Sequence, residues 1–306
     1  MPKSVNKSLA IACSSGGFKG AFIHGVLSAF EVAGFRANAY AAASSSVIPC
    51  SMAAIGRAND VGASYWQKLA QLLKQDNIGM SQIVLESIAN FAPVICEQLF
   101  QTESPELFIA TSAVITAKAT EETQSTQAKR LGRKLLVPAA KKDNSWVSQN
   151  LHLALFGSAN YSSQFHLNTC NFQEVAYAST RMLHAWDIPA WIADRPYIDA
   201  SYTCLCPAIE MVEYGYEEAI AIGNEPGLIY RDMCQIEALP TVWKNAPIHT
   251  ILPDIDPKKL GVDFTSATAE GLMSLYRHGE EKGREFLNNR EIESEFDMRG
   301  DNKNEP

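Results

Sequence analysis

The sequence predicts an α/β protein built on a parallel sheet, and three observations carry that prediction. A short apolar run, a Gly-rich turn and a helically spaced apolar segment follow one another within the first 34 residues. A second short run of small and apolar residues, 37–43, comes directly after them. Two strands joined by one helix make a crossover, which requires a parallel pair. Further short apolar runs at 108–114, 219–223 and 249–252 are separated by stretches that read as helical.

The elements follow in order. Residues 8–13 are the first strand. Ser14 to Gly20 is a turn whose adjacent glycines, Gly16 and Gly17, can take positive φ and expose their N–H groups. Set before a helix N-terminus, such a turn can hold an anion. Over 21–33 Phe22, Val26, Leu27 and Phe30 recur at helical spacing, and Gly34 stands where a helix-ending glycine belongs. Residues 60–106 read as helical. Residues 118–144 turn polar and then basic, with Lys129, Arg130, Arg133, Lys134, Lys141 and Lys142, and read as a long loop or lid. Residues 197–199 look like a strand end, 207–214 like a helix stopped by Gly215, and 267–287 like a C-terminal helix. No clean boundary divides the chain. The expectation is one domain over 8–287 with an inserted, lid-like segment at about 60–170, then a charged, flexible tail over 288–306.

Composition excludes several classes. Apolar residues make up 46% and charged residues 20% of the 306, which is globular usage rather than disorder or a rod. A net charge of −8 argues against a nucleic-acid partner. Seven scattered cysteines do not form a secreted disulfide framework, and no second pair joins Cys204 and Cys206 to complete a zinc set. No metal or other cofactor is expected. No apolar run reaches the roughly 18 residues of a membrane span, and the run 9–13 is too short for a signal peptide. The expected location is therefore cytoplasmic, with any membrane contact peripheral.

Two motifs carry chemistry. The turn Ser15-Gly16-Gly17-Phe18-Lys19-Gly20 is neither a P-loop, since Lys19 precedes Gly20 and Ala21 follows it, nor a G-x-G-x-x-G dinucleotide loop. The run Ala42-Ala43-Ser44-Ser45-Ser46 stands where a strand meets a helix, as a G-x-S-x-G nucleophile elbow does, with the smallest available residues in place of the glycines. Taken singly, the turn reads equally as a turn without a ligand, and the serine run as a close helix–strand contact.

In register, the two motifs resemble the patatin-like phospholipase family, whose pattern is D-G-G-G-x-[RK]-G, a helix, then G-x-S-x-G. Ser14 to Gly20 matches the loop, with Ser14 in the Asp position and Ser15 in that of the first glycine. Gly25-Val26-Leu27 and Gly34 match the helix, and counting on without a gap puts Ser44 at the nucleophile. Ser45 is the competing choice, but it would set Val47 in the tight position two residues on. The family's D-G-[GA] motif corresponds to Asp199-Ala200-Ser201 in the stretch Tyr197-Ile198-Asp199-Ala200-Ser201. Ala178-Ser179-Thr180 before it and Leu260 to Phe264 after it also look alike. The resemblance covers roughly 8–287 and is strongest in the first 58 residues and around Asp199. Five motif glycines are replaced, at Ser15, Ala42, Ser46, Ala200 and Ser201. A positive φ at Ser15 or Ser46 would cost about 1 kcal/mol or more, and Pro49 is expected to delay or kink the elbow helix.

The resemblance implies a three-layer αβα fold and a Ser44–Asp199 dyad without histidine. It implies an oxyanion hole from the N–H groups of Gly16, Gly17 and Phe18, and Lys19 as a substrate-binding cation for a lipid phosphate. The implied substrate is a phospholipid or other lipid ester. Of the six histidines none stands in a motif beside Ser44, and His24, one turn from Gly20, is the first to check. Trp186 and Trp191 read as core. The basic run reads as a solvated loop, with anionic headgroups as its functional alternative. A catalytically impaired patatin fold that binds lipid or a protein partner is the rival reading of the whole chain, and nucleotide binding at Gly16–Gly20 a third.

Overall fold

The computed structural model describes residues 8–301 apart from 73, 76, 77, 102, 103 and 160–162. Its strands are β1 (Leu9–Cys13), β2 (Ala39–Ala43), β3 (Glu106–Val114), β4 (Leu151–Gly157), β5 (Ala190–Ile192), β6 (Arg195–Ile198), β7 (Glu218–Ile222), β8 (Val242–Trp243) and β9 (Ala246–Ile251). Its helices are α1 (Gly20–Val32), α2 (Val47–Ala54), α3 (Ala58–Leu72), α4 (Met80–Leu99), α5 (Ala117–Thr123), α6 (Ala128–Ala140), α7 (Ser145–Asn150), α8 (Phe172–Thr180), α9 (Ala208–Glu213) and α10 (Ala269–Asp301).

The fold is α/β with a mostly parallel central sheet between helical layers. The strand order runs β5-β6-β3-β2-β1-β7-β9-β8, with β4 paired to β3 off that path. The pairs β1–β2, β2–β3, β1–β7 and β7–β9 are parallel, as the crossover pattern requires, and the antiparallel pairs lie toward the two margins. Alternation along β1 divides the core. Leu9, Ile11 and Cys13 face the larger cluster with α1, α2, α8 and α10, while Ala10 and Ala12 face the smaller one with Ile209 and Met211 of α9.

Four sequence expectations change. Residues 118–144 are not a loop but carry α5 and α6, because Ala128, Gly132 and Leu135 give the basic run a buried stripe whose small residues contribute little apolar signal. The segment 60–170 supplies β3, paired to β2 and β4, so it is built into the sheet rather than inserted beside it. The C-terminal helix continues past residue 287 to Asp301, well into the expected flexible tail, and 302–306 lie outside the described residues. Pro49 neither delays nor kinks α2. It is the helix's third residue, where the backbone N–H has no intrahelical acceptor to lose.

Candidate active site

Register alone brings the two sequence-predicted residues together. β4 covers one edge of β3 from Phe108 to Val114, so β2 and β6 must share the other edge. β2 ends with Ala43 opposite Ala110, and β6, running the opposite way, ends with Ile198 opposite Ser112. The residues that follow each strand, Ser44 and Asp199, therefore converge beside Thr111. Ser44 Oγ donates to Asp199 Oδ2 at 2.7 Å, and both side chains are buried.

Ser44 has φ 55, a left-handed conformation unfavourable for a serine, so the strain expected at a replaced glycine falls on Ser44 itself. Ser46 is relaxed at φ −79. Its hydroxyl accepts from Ala43 N–H at 3.1 Å and is shared as a donor between Cys13 O at 3.0 Å and Ala43 O at 2.9 Å, tying the elbow to the end of β1. Ser44 N–H donates to Ser179 Oγ at 2.9 Å. Ser45 Oγ is buried with no partner among the described residues, which separates it from its neighbour Ser44.

Asp199 is held as firmly. Its Oδ1 accepts from Ser201 N–H at 2.8 Å and from the Ser201 hydroxyl. Its N–H donates to Arg181 O at 3.0 Å, and its own carbonyl accepts from Ser112 Oγ at 2.7 Å. Burial pushes the Asp199 pKa up to about 6, with the bonds from Ser201 and Ser44 opposing the rise.

Of the Gly-rich turn, Gly17 and Phe18 line the same cavity as Ser44, and Gly16 lies just outside that lining. Ser14 N–H and Ser15 N–H are anchored on Ile222 O and Leu205 O, and Asn224 braces the turn from Ser14 Oγ and Ser15 O. Gly17 takes φ 57 and packs against the Phe264 carbonyl, which leaves no room for a side chain. Among the described residues, the N–H groups of Gly16 and Gly17 have no hydrogen-bond partner. Phe18 N–H differs from expectation, because it donates to Phe264 O at 3.1 Å.

Lys19 is not brought to the site. It is buried, pairs with Glu225 and lies 3.9 Å from Asp263, and it is absent from the cleft wall. His24 is a structural histidine. Its Nε2 meets Ala58 O at 2.9 Å, Trp66 Nε1 donates to its Nδ1 at 3.0 Å, and burial lowers its pKa to about 4, so it is neutral.

Ser44 opens into a narrow apolar cleft. Its walls are the elbow residues Val47 and Ile48, Trp66 and Leu69 of α3, and Ile83, Val84 and Ile88 of α4; Gly17, Phe18 and Trp186 also line it. Trp186 is thus buried as expected, whereas Trp191 is 43% exposed. Sequence reasoning missed Asn224 and Phe264 as braces of the turn, and nothing local marks them. It quoted Ser46, Ser179 and Ser201 only as motif neighbours.

No protein-family model matches the chain, and no curated protein matches it. Among solved structures, VipD from Legionella pneumophila aligns at a TM-score of 0.47 and 11% sequence identity, over 93% of this chain and 67% of that one.

Proposed function

We propose that the protein is a serine acyl hydrolase, a divergent patatin-like enzyme that cleaves carboxylic esters bearing an apolar acyl chain, such as phospholipids. The observation that carries this reading is the 2.7 Å hydrogen bond to a buried carboxylate from the Oγ of Ser44, a residue that lines an apolar cleft. Asp199 Oδ2 takes the hydroxyl proton as Ser44 Oγ bonds to the ester carbon. The oxyanion of the tetrahedral intermediate lies against the N–H groups of Gly16 and Gly17, each such donor being worth about 100- to 1000-fold in rate. As the intermediate collapses, the ester C–O bond breaks, Asp199 returns the proton to the departing alkoxide, and the acyl group stays on Ser44. Water then attacks the acyl-enzyme with Asp199 again as base, releasing the fatty acid and restoring Ser44. A carboxyl titrating near 6 suits this alternation of base and acid close to neutral pH.

The test is labelling with a fluorophosphonate followed by peptide mass spectrometry. A phosphonyl adduct on Ser44, absent from Ser44→Ala, is expected. An unlabelled Ser44 under conditions that label a control lipase overturns the proposal. A second reading, a lipid-binding module without turnover, draws on the Phe18 N–H engaged by Phe264, which removes one donor from the implied oxyanion hole. Ester hydrolysis abolished by Asp199→Asn eliminates that reading.

A further inference from the structure

Residues 128–142 carry six of the chain's 26 lysines and arginines and none of its 34 acidic residues, in a protein whose net charge is −8. α6 folds this run into a two-faced rod. Ala128, Gly132 and Leu135 are buried against the domain, while Arg130, Arg133, Lys134, Leu136 and Val137 are exposed, as are Lys141 and Lys142 just beyond the helix. Leu136 is 42% and Val137 58% exposed. Among the described residues, Lys129 alone of the six has an acidic partner, Asp187 at 3.8 Å. The outward face is therefore a field of unneutralised cations with an apolar pair set within it.

We propose that this face docks on a bilayer containing anionic phospholipid, with the cations against headgroup phosphates and Leu136 and Val137 at the acyl boundary. Charge complementarity selects an anionic partner, and the apolar pair selects among such partners. A helix lying in a membrane interface uses both kinds of residue, whereas a nucleic acid would engage the charges and leave Leu136 and Val137 in water. The helix is also well sited. At Gly132 its backbone lies directly on Leu183 and His184, and Lys129 reaches Asp187, the residue after the cleft-lining Trp186. Docking α6 sets the cleft beside the lipid surface; that consequence rests on the acyl-hydrolase reading, while the docking itself does not.

The experiment is co-sedimentation of the full chain carrying Ser44→Ala, so that binding is read without turnover, with phosphatidylcholine vesicles with and without phosphatidylserine. Binding to the anionic vesicles alone, weakening with salt, is expected. A basic residue is worth roughly fivefold at an anionic surface, so Arg130→Glu with Lys134→Glu lowers binding by more than about tenfold. Leu136→Ser with Val137→Ser weakens it too, which a purely electrostatic contact would not. No binding to anionic vesicles, or binding by either double variant as tight as that of the Ser44→Ala chain, overturns the proposal. So does single-stranded RNA that binds through the same cations and is indifferent to the Leu136 and Val137 changes. The same surface changes made with Ser44 intact leave hydrolysis of a soluble short-chain ester unchanged. If that hydrolysis is absent from the start, the acyl-hydrolase reading fails and the docking result stands.

Discussion

At Asp199 two physical effects pull in opposite directions. Burial favours the neutral acid, and the Ser201 N–H and hydroxyl favour the carboxylate. On the proposed acyl-hydrolase mechanism the ionised form is the active one, so kcat/KM is expected to rise through pH about 6 and level off above it. Ser201→Ala removes one of the opposing bonds, and the rise is expected to move to higher pH, a change that a merely structural loss would not produce. The same carboxyl carries a stability cost. Its folded pKa of about 6 lies above the ordinary 3.8, so its contribution to stability is fully present below pH about 4 and is lost as pH climbs through 6. Holding the carboxyl that far above its ordinary value costs about 3 kcal/mol once it is ionised. Asp199→Asn is thus expected to lower ester turnover by roughly a thousandfold and yet raise the melting temperature at pH 8, with no gain at pH 4. A calorimetric scan at the two pH values checks the sign. A variant that loses both activity and stability at pH 8 would mean that the carboxylate is held for structure.

At the scale of elements, what was legible in the sequence is what lies close together along the chain. The β1–α1–β2 crossover is read from glycines and small residues within 58 positions, because a parallel pair with a tight turn at each strand end tolerates few others. Gly25 is an instance. It lies on α1 where that helix meets α10, and a methyl group there would run into the Tyr276 carbonyl. Gly25→Ala is expected to push the two helices apart at a cost of about 1–3 kcal/mol, read as a lower urea midpoint with an unchanged slope. Ser46 illustrates the limit of pattern matching. It counts as a lost glycine, yet its hydroxyl fastens the elbow to β1 in a way that glycine cannot. Ser46→Gly is therefore expected to destabilise the fold by about 1 kcal/mol, although it restores the motif. α6 escaped notice as a helix because its buried face is made of alanine, glycine and one leucine, while its cations dominate the composition.

Across the whole molecule, the part of the site that the sequence could not reveal is the part made by distant segments. The Phe264 carbonyl that captures Phe18 N–H, the Glu225 carboxylate that pairs Lys19 and the Asn224 amide that braces the turn are all about 200 or more residues from their partners, with no motif at either end. Asp199 was legible at 155 residues from Ser44 only because its own strand-end motif marked it. The cleft belongs to the same scale, since the turns that follow β1 and β2 supply its floor and α2, α3 and α4 its walls. On the proposed function, that division of labour separates chemistry from chain-length selection. The floor carries Ser44 and is expected to act on any ester that reaches it. The walls set how much apolar chain can follow. Val84 lines the cleft from α4 and is only partly buried, so a larger ring there projects into the channel without an equal penalty in the core. In Val84→Trp, hydrolysis of a long-chain ester is expected to fall by about tenfold relative to an acetyl ester, on the scale of a few lost methylene contacts. The loss should come mainly through KM, with the acetyl ester turned over as before. An equal fall for both esters would mean that the wall helps to hold the dyad, and a fall for neither would move the acyl chain out of this cleft.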